Sequence, residues 1–184
     1  DMVEVENDTA YLETHFIKGD SRSRLDFNAI AQGYTVDLLI DLLEYSGVEN
    51  AMVELGGEVR CIGKNPNDSY WNIAIDKPIQ GSSSQNREFQ AIVEVKDASI
   101  CTSGNYRKFV EIDGVKRSHS IDPRTGYPVD HNLLSVTIKA KSAALADAYA
   151  TSCMVLGPVE GEFLIGELNE DGAEVEALFI MSGS

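Results

Sequence analysis

Cysteine is scarce in this chain of 184 residues: Cys61, Cys101 and Cys153 stand far apart and form no C-x-x-C pair. Odd in number and unpaired in spacing, they exclude a disulfide framework and a thiolate zinc site, and read instead as small buried thiols. No apolar run reaches the length of a membrane-crossing helix, so no transmembrane segment is expected. No signal-peptide pattern opens the chain at Asp1. Basic residues are few, 15 against 30 acidic, for a net charge of −15. So acidic a chain is a poor partner for nucleic acid or an anionic membrane surface. A phosphate-bearing ligand would need a cation or backbone N–H groups to screen it. Also missing are the P-loop, G-x-G-x-x-G, G-x-S-x-G and H-E-x-x-H patterns, and with them the best-marked nucleotide, hydrolase and zinc-protease sites.

What is present is an ordinary globular mixture, 43% hydrophobic and 24% charged, able to bury one core. Residues 1–10 are acidic and polar, and are expected to be flexible. Tyr11 to Ile17 and Ser23 to Phe27 read as short strands around a Lys18–Gly19–Asp20 turn. Asn28 is placed to cap a helix over Ala31 to Tyr45, whose apolar residues recur at helical spacing and which Gly47 closes. Strands follow at Ala51 to Leu55, Glu58 to Ile62 and Trp71 to Ile75, then a Gly/Ser/Gln-rich loop from Pro78 to Asn86. Ala91 to Val95, Ser99 to Thr102, Tyr106 to Ile112 and Lys116 to Ser120 read as a meander with a hairpin turn at Asp113–Gly114. Leu133 to Ala140 alternates cleanly, a helix runs from Ala143 to Gly157, Pro158 starts another to about Leu168, and Val175 to Ile180 closes the chain. Helices set among many antiparallel strands make this α+β, with an outline of internal duplication.

The helix AALADAYATSCMVLG is apolar apart from a few residues, and one of these is a carboxylate. Asp147 and Thr151 lie four apart and so share a helix face. An ionised carboxylate in such surroundings is costly without a partner, and the helix holds no Lys or Arg. A hard divalent cation such as Mg²⁺ would serve, since it takes carboxylate, hydroxyl and carbonyl oxygen together; an Arg from elsewhere, or solvent, would serve too. The loop SHSIDPRTGYPV, residues 118–129, offers His119 as a proton acceptor together with Asp122 and Arg124. The plainer alternative is a tight turn in which Asp122 caps and Arg124 pairs locally. In SICTSGNY, the N–H groups around Ser103 and Gly104 could cradle a phosphate, or the stretch could be a bulge. Gly33 sits within the first turns of its helix, a position that calls either for close approach of a ligand or for close packing.

Five runs in this order, LDFNAIAQGYTVD, AMVELGGEVR, ICTSGNYRKF, SHSIDPRTGYPV and LLSVTIKAKSAALADAYATSCMVLG, resemble the ApbE family of flavin transferases over roughly residues 25–157. The resemblance implies an ApbE-like fold, FAD as substrate, and Mg²⁺ held by Asp147, Thr151 and the backbone of Ala31, with Ala150 in the same metal segment. It implies contacts to FAD from Asn28, Tyr34 and the backbone around Ile121, and His119 as the base that deprotonates an acceptor threonine. FMN would pass from FAD to that threonine on a partner protein, with release of AMP. Relatives that hydrolyse FAD to FMN and AMP, and non-catalytic flavin binders, remain as alternatives. An extracytoplasmic, often lipoprotein, setting is the family expectation. Gln32 stands where many members have Lys, and Asn28 where Gly or Ser is usual. Family members are nearly twice this length, so the chain is expected to be one domain over 1–184 without their amino-terminal segment.

Overall fold

The computed structural model describes residues 3–8, 13–22, 24–79, 88–105, 109–112, 115–118 and 120–183. In chain order the elements are β1 (Val3–Asp8), β2 (Glu13–Lys18), α1 (Ala31–Tyr45), β3 (Ala51–Leu55), β4 (Glu58–Ile62), β5 (Trp71–Asp76), β6 (Phe89–Val95) and β7 (Ala98–Gly104). They continue with β8 (Phe109–Ile112), β9 (Val115–Ser118), β10 (Ile121–Asp122), β11 (Tyr127–Pro128), β12 (Leu133–Ala140), α2 (Ala143–Leu156), α3 (Pro158–Glu170) and β13 (Glu176–Met181). This is the expected α+β class: three helices against antiparallel sheet.

A five-stranded sheet in the order β13-β12-β7-β4-β3 organises the rest. Every neighbour in it is antiparallel. Its second strand, β12, lies between β13 and β7 and is buried along nearly its whole length, because Val136 and Ile138 face the helices while Ser135 and Thr137 are covered as well. One face carries the main core, in which Val36 of α1, Ala143, Ala146, Ala150, Cys153 and Met154 of α2, and Ile165 of α3 meet β12. The other face carries a smaller cluster of Val59, Cys61 and Ile100 under the β5–β6 hairpin, with Trp71 and Val95. Trp71 is anchored there by an Nε1–H bond to the carbonyl of Ile62 at 3.1 Å.

Local chemistry accounts for most boundaries. Helix α1 ends in a Schellman motif, Gly47 N–H to Glu44 O at 2.9 Å and Val48 N–H to Leu43 O at 3.0 Å, with Gly47 at φ +83°. Gly56 and Gly57, both at positive φ, make the two-residue β3–β4 hairpin. Ser142 caps α2 by accepting from Leu145 N–H, and Pro158 opens α3.

Several expectations are corrected. Val3–Asp8, within the stretch expected to be flexible, is a strand paired with β2. The pairing partner of β2 is β1 and not the stretch from Ser23 to Phe27, whose residues 24–27 are irregular; Phe27 instead meets Phe16 edge-on at 6.5 Å. Asn28 does not cap α1. Its N–H is taken by Asp26 Oδ1 at 2.8 Å, and Ile30 occupies the cap position without a side-chain bond. The four stretches read as a meander do not form one: β6 pairs with β5, β7 is drawn between β12 and β4, and β8 pairs with β9. Residues 106–108 and the Asp113–Gly114 turn lie outside the described residues. The buried stripe of α1 is Gly33, Val36 and Ile40, whereas Tyr34, Leu38, Leu39 and Leu42 are exposed.

Candidate active site

Asp147 lies on the fifth residue of α2, where the neighbouring Ala146 and Ala150 are fully buried. Its side chain is 6% exposed. Gly33 N–H, in the first turn of α1, donates to Oδ2 at 3.0 Å. Burial pushes the carboxyl above its usual range, and the Gly33 bond pulls the other way without cancelling it. Oδ1 receives no hydrogen bond from any described residue, and among the described residues no Arg or Lys pairs with it.

The approach of the two helices explains Gly33. A Cβ there would stand 2.3 Å from the carbonyl oxygen of Ala143 and 2.8 Å from Asp147 Cβ. The close packing is therefore helix on helix, not helix on sheet. One turn along α2, Thr151 Oγ1 shares a hydrogen bond with Ser103 Oγ at 3.1 Å. Ser103 and Gly104 end β7, where Gly104 pairs with Ser135 and Asn105 N–H is bound to Leu134 O at 3.0 Å. Those backbone groups serve the sheet ladder, and the side chain of Ser103 is what reaches the candidate site.

Other sequence candidates sit as follows. Ala31 is the first residue of α1 and its carbonyl accepts from Thr35 Oγ1 at 2.7 Å. Ala150 is fully buried on α2. Asn28 is exposed in the turn before α1, and Tyr34 projects outward at 55% exposure. Ile121 is exposed on β10, a two-residue strand paired with β11 that lies against α2. His119 lies outside the described residues. In the same loop, Asp122 and Arg124 behave as the plain turn reading has it. Gly126 N–H caps onto Asp122 O at 2.8 Å, while Arg124 bonds Asp122 and reaches Glu160 of α3 at 2.8 Å. The Arg124 guanidinium holds the Asp122 carboxyl below its usual range. A cleft of about 400 Å³ opens beside this loop, lined by Asp122, Arg124, His131, Pro158 and Glu160 among others, and neither Asp147 nor Thr151 borders it. The structure thus brings Asp147 to Gly33 and Thr151 to Ser103, and leaves Asn28 and Tyr34 at the surface.

Sequence reasoning missed Asp37 and Arg60. Asp37 Oδ1 accepts from Ala143 N–H at 2.9 Å and from Arg60 Nη1 at 2.6 Å, and Oδ2 accepts from Ala144 N–H at 2.9 Å and Ser142 Oγ at 2.7 Å. Burial alone would raise this carboxyl; the bonds from Ala144, Ala143, Ser142 and Arg60 outweigh it and hold the group below its usual range. A signal existed: Asp37 sits mid-helix with Gly33, Tyr34, Ile40 and Asp41 at its helical neighbours, none of them basic.

Mg²⁺ can be tested against these donors. Among the described residues no three His, Cys, Asp or Glu side chains converge on a metal. One carboxylate with an open oxygen and a hydroxyl one turn on offer oxygen donors only. That suits a cation bound through few protein carboxylates and completed by substrate phosphates.

The ApbE family model matches residues 1–179. The FAD:protein FMN transferase of Vibrio cholerae is 44% identical over 146 residues, 79% of this chain and 42% of that protein. That of Escherichia coli is 39% identical over 141 residues, 77% of this chain and 39% of its own. In structure, the flavin transferase ApbE from Vibrio cholerae superposes with a TM-score of 0.79 at 38% identity, covering 100% of this chain and 53% of that one. The ApbE protein of Thermotoga maritima gives 0.74 at 28% identity over 95% of this chain and 54% of its own. The chain spans about two fifths of these curated relatives and about half of the solved structures. On a family model that covers nearly all of it, the chain belongs to the ApbE family.

Proposed function

We propose that this chain carries the metal- and phosphate-handling part of a flavin transferase, which moves FMN from FAD to a threonine hydroxyl of a target protein and releases AMP. The observation that carries the reading is Asp147: a buried carboxylate with one N–H partner and one open oxygen, in a family whose relatives are named for that reaction. Asp147 and Thr151, with the Ala31 and Ala150 backbone, would hold Mg²⁺, which supplies charge neutralisation for the pyrophosphate oxygens. Ser103 orients the Thr151 hydroxyl, and Gly33 N–H orients the Asp147 carboxylate. In the transfer, the threonine oxygen bonds to the FMN phosphorus while the bond from that phosphorus to the bridging oxygen breaks. AMP departs with the bridging oxygen, and His119 takes the hydroxyl proton, the role implied by its place in the S-H-x-I-D-P run. An extracytoplasmic setting belongs to the same proposal and rests on the family alone.

Incubation with FAD and Mg²⁺, with and without EDTA, followed by chromatography for AMP, tests the reading. EDTA-sensitive AMP from wild type and none from Asp147→Ala is the expected result. Full activity in Asp147→Ala removes the metal assignment. An added acceptor domain that becomes covalently flavinylated separates transfer from hydrolysis.

A further inference from the structure

Two contacts, each one helical turn from the other, lock α1 against α2. At one, Gly33 N–H binds Asp147 and the bare Cα of Gly33 lies against Ala143. At the other, four residues on along α1, Asp37 takes the first two N–H groups of α2, from Ala143 and Ala144. Progress along α1 from 33 to 37 is retreat along α2 from 147 to 143. We infer that Asp37 is a positioning residue for Asp147: its carboxylate pins the start of α2 to α1 and to β4, and so sets where Asp147 stands. The inference rests on the metal-site reading above for its consequence in activity, though not for its geometry.

Three observations support it. First, the bonding at this end of α2 is complete. Ser142 Oγ accepts from Leu145 N–H and donates to Asp37, and Asp37 covers the next two amides, so the first three amides of the helix all have oxygen partners. Second, the pin is itself held. Arg60 on β4 approaches Asp37 at 2.6 Å with only 19% and 13% of the two side chains exposed, and lies 3.6 Å from Asp41. Third, α2 is tied to β7 at the same level, by Cys101 Sγ–H to Ala143 O at 3.3 Å. Asp147 is one turn beyond all of this, so its carboxylate inherits whatever movement the helix start makes.

Asp37→Asn is the test. It keeps the side chain's shape but offers one carbonyl oxygen in place of two charged ones, and it turns an N–H₂ either toward Ala143 N–H and Arg60 or toward Ala144 N–H and Ser142, so one helix amide loses its acceptor in either orientation. Mn²⁺ affinity is read by electron paramagnetic resonance, and the Gly33 amide by nitrogen–proton NMR and hydrogen exchange in metal-free protein. Expected are a loss of Mn²⁺ affinity of about tenfold to a hundredfold, the range for groups that orient a metal's ligands, and a shifted, faster-exchanging Gly33 amide. Ile165→Ala, on α3 and matched for loss of melting temperature, should do neither, which separates positioning from general destabilisation. Arg60→Met, which leaves the bonds from Asp37 to α2 in place, should move both readouts in the same direction by less, and serves if Asp37→Asn does not fold. A moved Gly33 amide in a protein that never binds Mn²⁺ upholds the positioning and sinks the metal reading. Unchanged Mn²⁺ affinity with an unmoved Gly33 amide overturns the positioning and leaves the metal reading standing.

Discussion

Replacing Gly33 by alanine sets two physical effects against each other in one methyl group. Alanine is the better helix former by about 1 kcal/mol, so propensity alone predicts a more stable protein. The crossing predicts the reverse. A Cβ would fall 2.3 Å from Ala143 O and 2.6 Å from Ala143 C, both backbone atoms, and 2.8 Å from Asp147 Cβ. Nothing flexible is there to yield, so one helix must retreat by most of an ångström. Overpacking of this kind costs about 1–3 kcal/mol. The retreat also stretches the Gly33 bond to a buried carboxylate, worth about 1.5–3 kcal/mol. Set against the propensity gain, the net loss is about 1.5–5 kcal/mol, or roughly 3–20 °C in melting temperature for a domain of this size. Gly166 supplies the contrast: it is helical, in α3, and a Cβ there meets nothing within 4 Å. Gly166→Ala should therefore raise stability by about 1 kcal/mol. Calorimetry on the two variants reads the difference. If Gly33→Ala melts at or above wild type, the close crossing is not what holds Asp147 in place.

The two carboxylates should respond to pH in opposite senses. Asp147 has its folded pKa raised by burial, so its contribution falls as pH rises from its usual 3.8 through the raised value. In EDTA, Asp147→Asn should thus melt above wild type at pH 7 and level with it at pH 3; a variant that melts lower at pH 7 refutes the uncompensated burial. Asp37 is depressed, so the stability it adds is present above 3.8 and lost as pH falls toward the lowered value. The deficit of Asp37→Asn at pH 7 should shrink in acid. Burial pushes the Cys61 thiol up to about 12, Cys153 up to about 11 and Cys101 higher still. Ellman's reagent at pH 8 should find no thiol in the native protein and three in guanidinium, and prompt native labelling would contradict the packing.

Elements stabilised by their own sequence were legible. Ala31–Tyr45, Ala51–Leu55, Glu58–Ile62 and Leu133–Ala140 have the ends that periodicity and Gly47, Gly56 and Gly57 assign. The burial of Asp147 was legible as well, since a carboxylate among alanines shows its cost in the sequence itself. What distant segments decide was not. The bond from Gly33 to Asp147 spans 114 positions and that from Asp37 to Ala143 spans 106. No window of sequence contains both partners. Ser23 to Phe27 and the supposed meander failed for the same reason, because a strand's partner is chosen by the sheet and not by its own alternation.

Two acids meet α2 in different ways, Asp37 reaching it from α1 and Asp147 standing on it. Asp37 meets the helix at its first amides, where the dipole and three N–H or O–H donors favour negative charge, and Arg60 balances what remains. Asp147 stands just past the first turn, where the dipole's help has faded, with one amide and no cation among the described residues. Every local rule is satisfied at Asp37 and broken at Asp147, within a single turn of one helix. A fold under selection for stability alone would have an alanine at 147, like its neighbours Ala146 and Ala150. Uncompensated exceptions of this sort concentrate where a ligand completes them. The open oxygen of Asp147 is what the proposed metal site would use, and the cost of its burial, which raises the carboxyl's pKa, is what a partner there would offset.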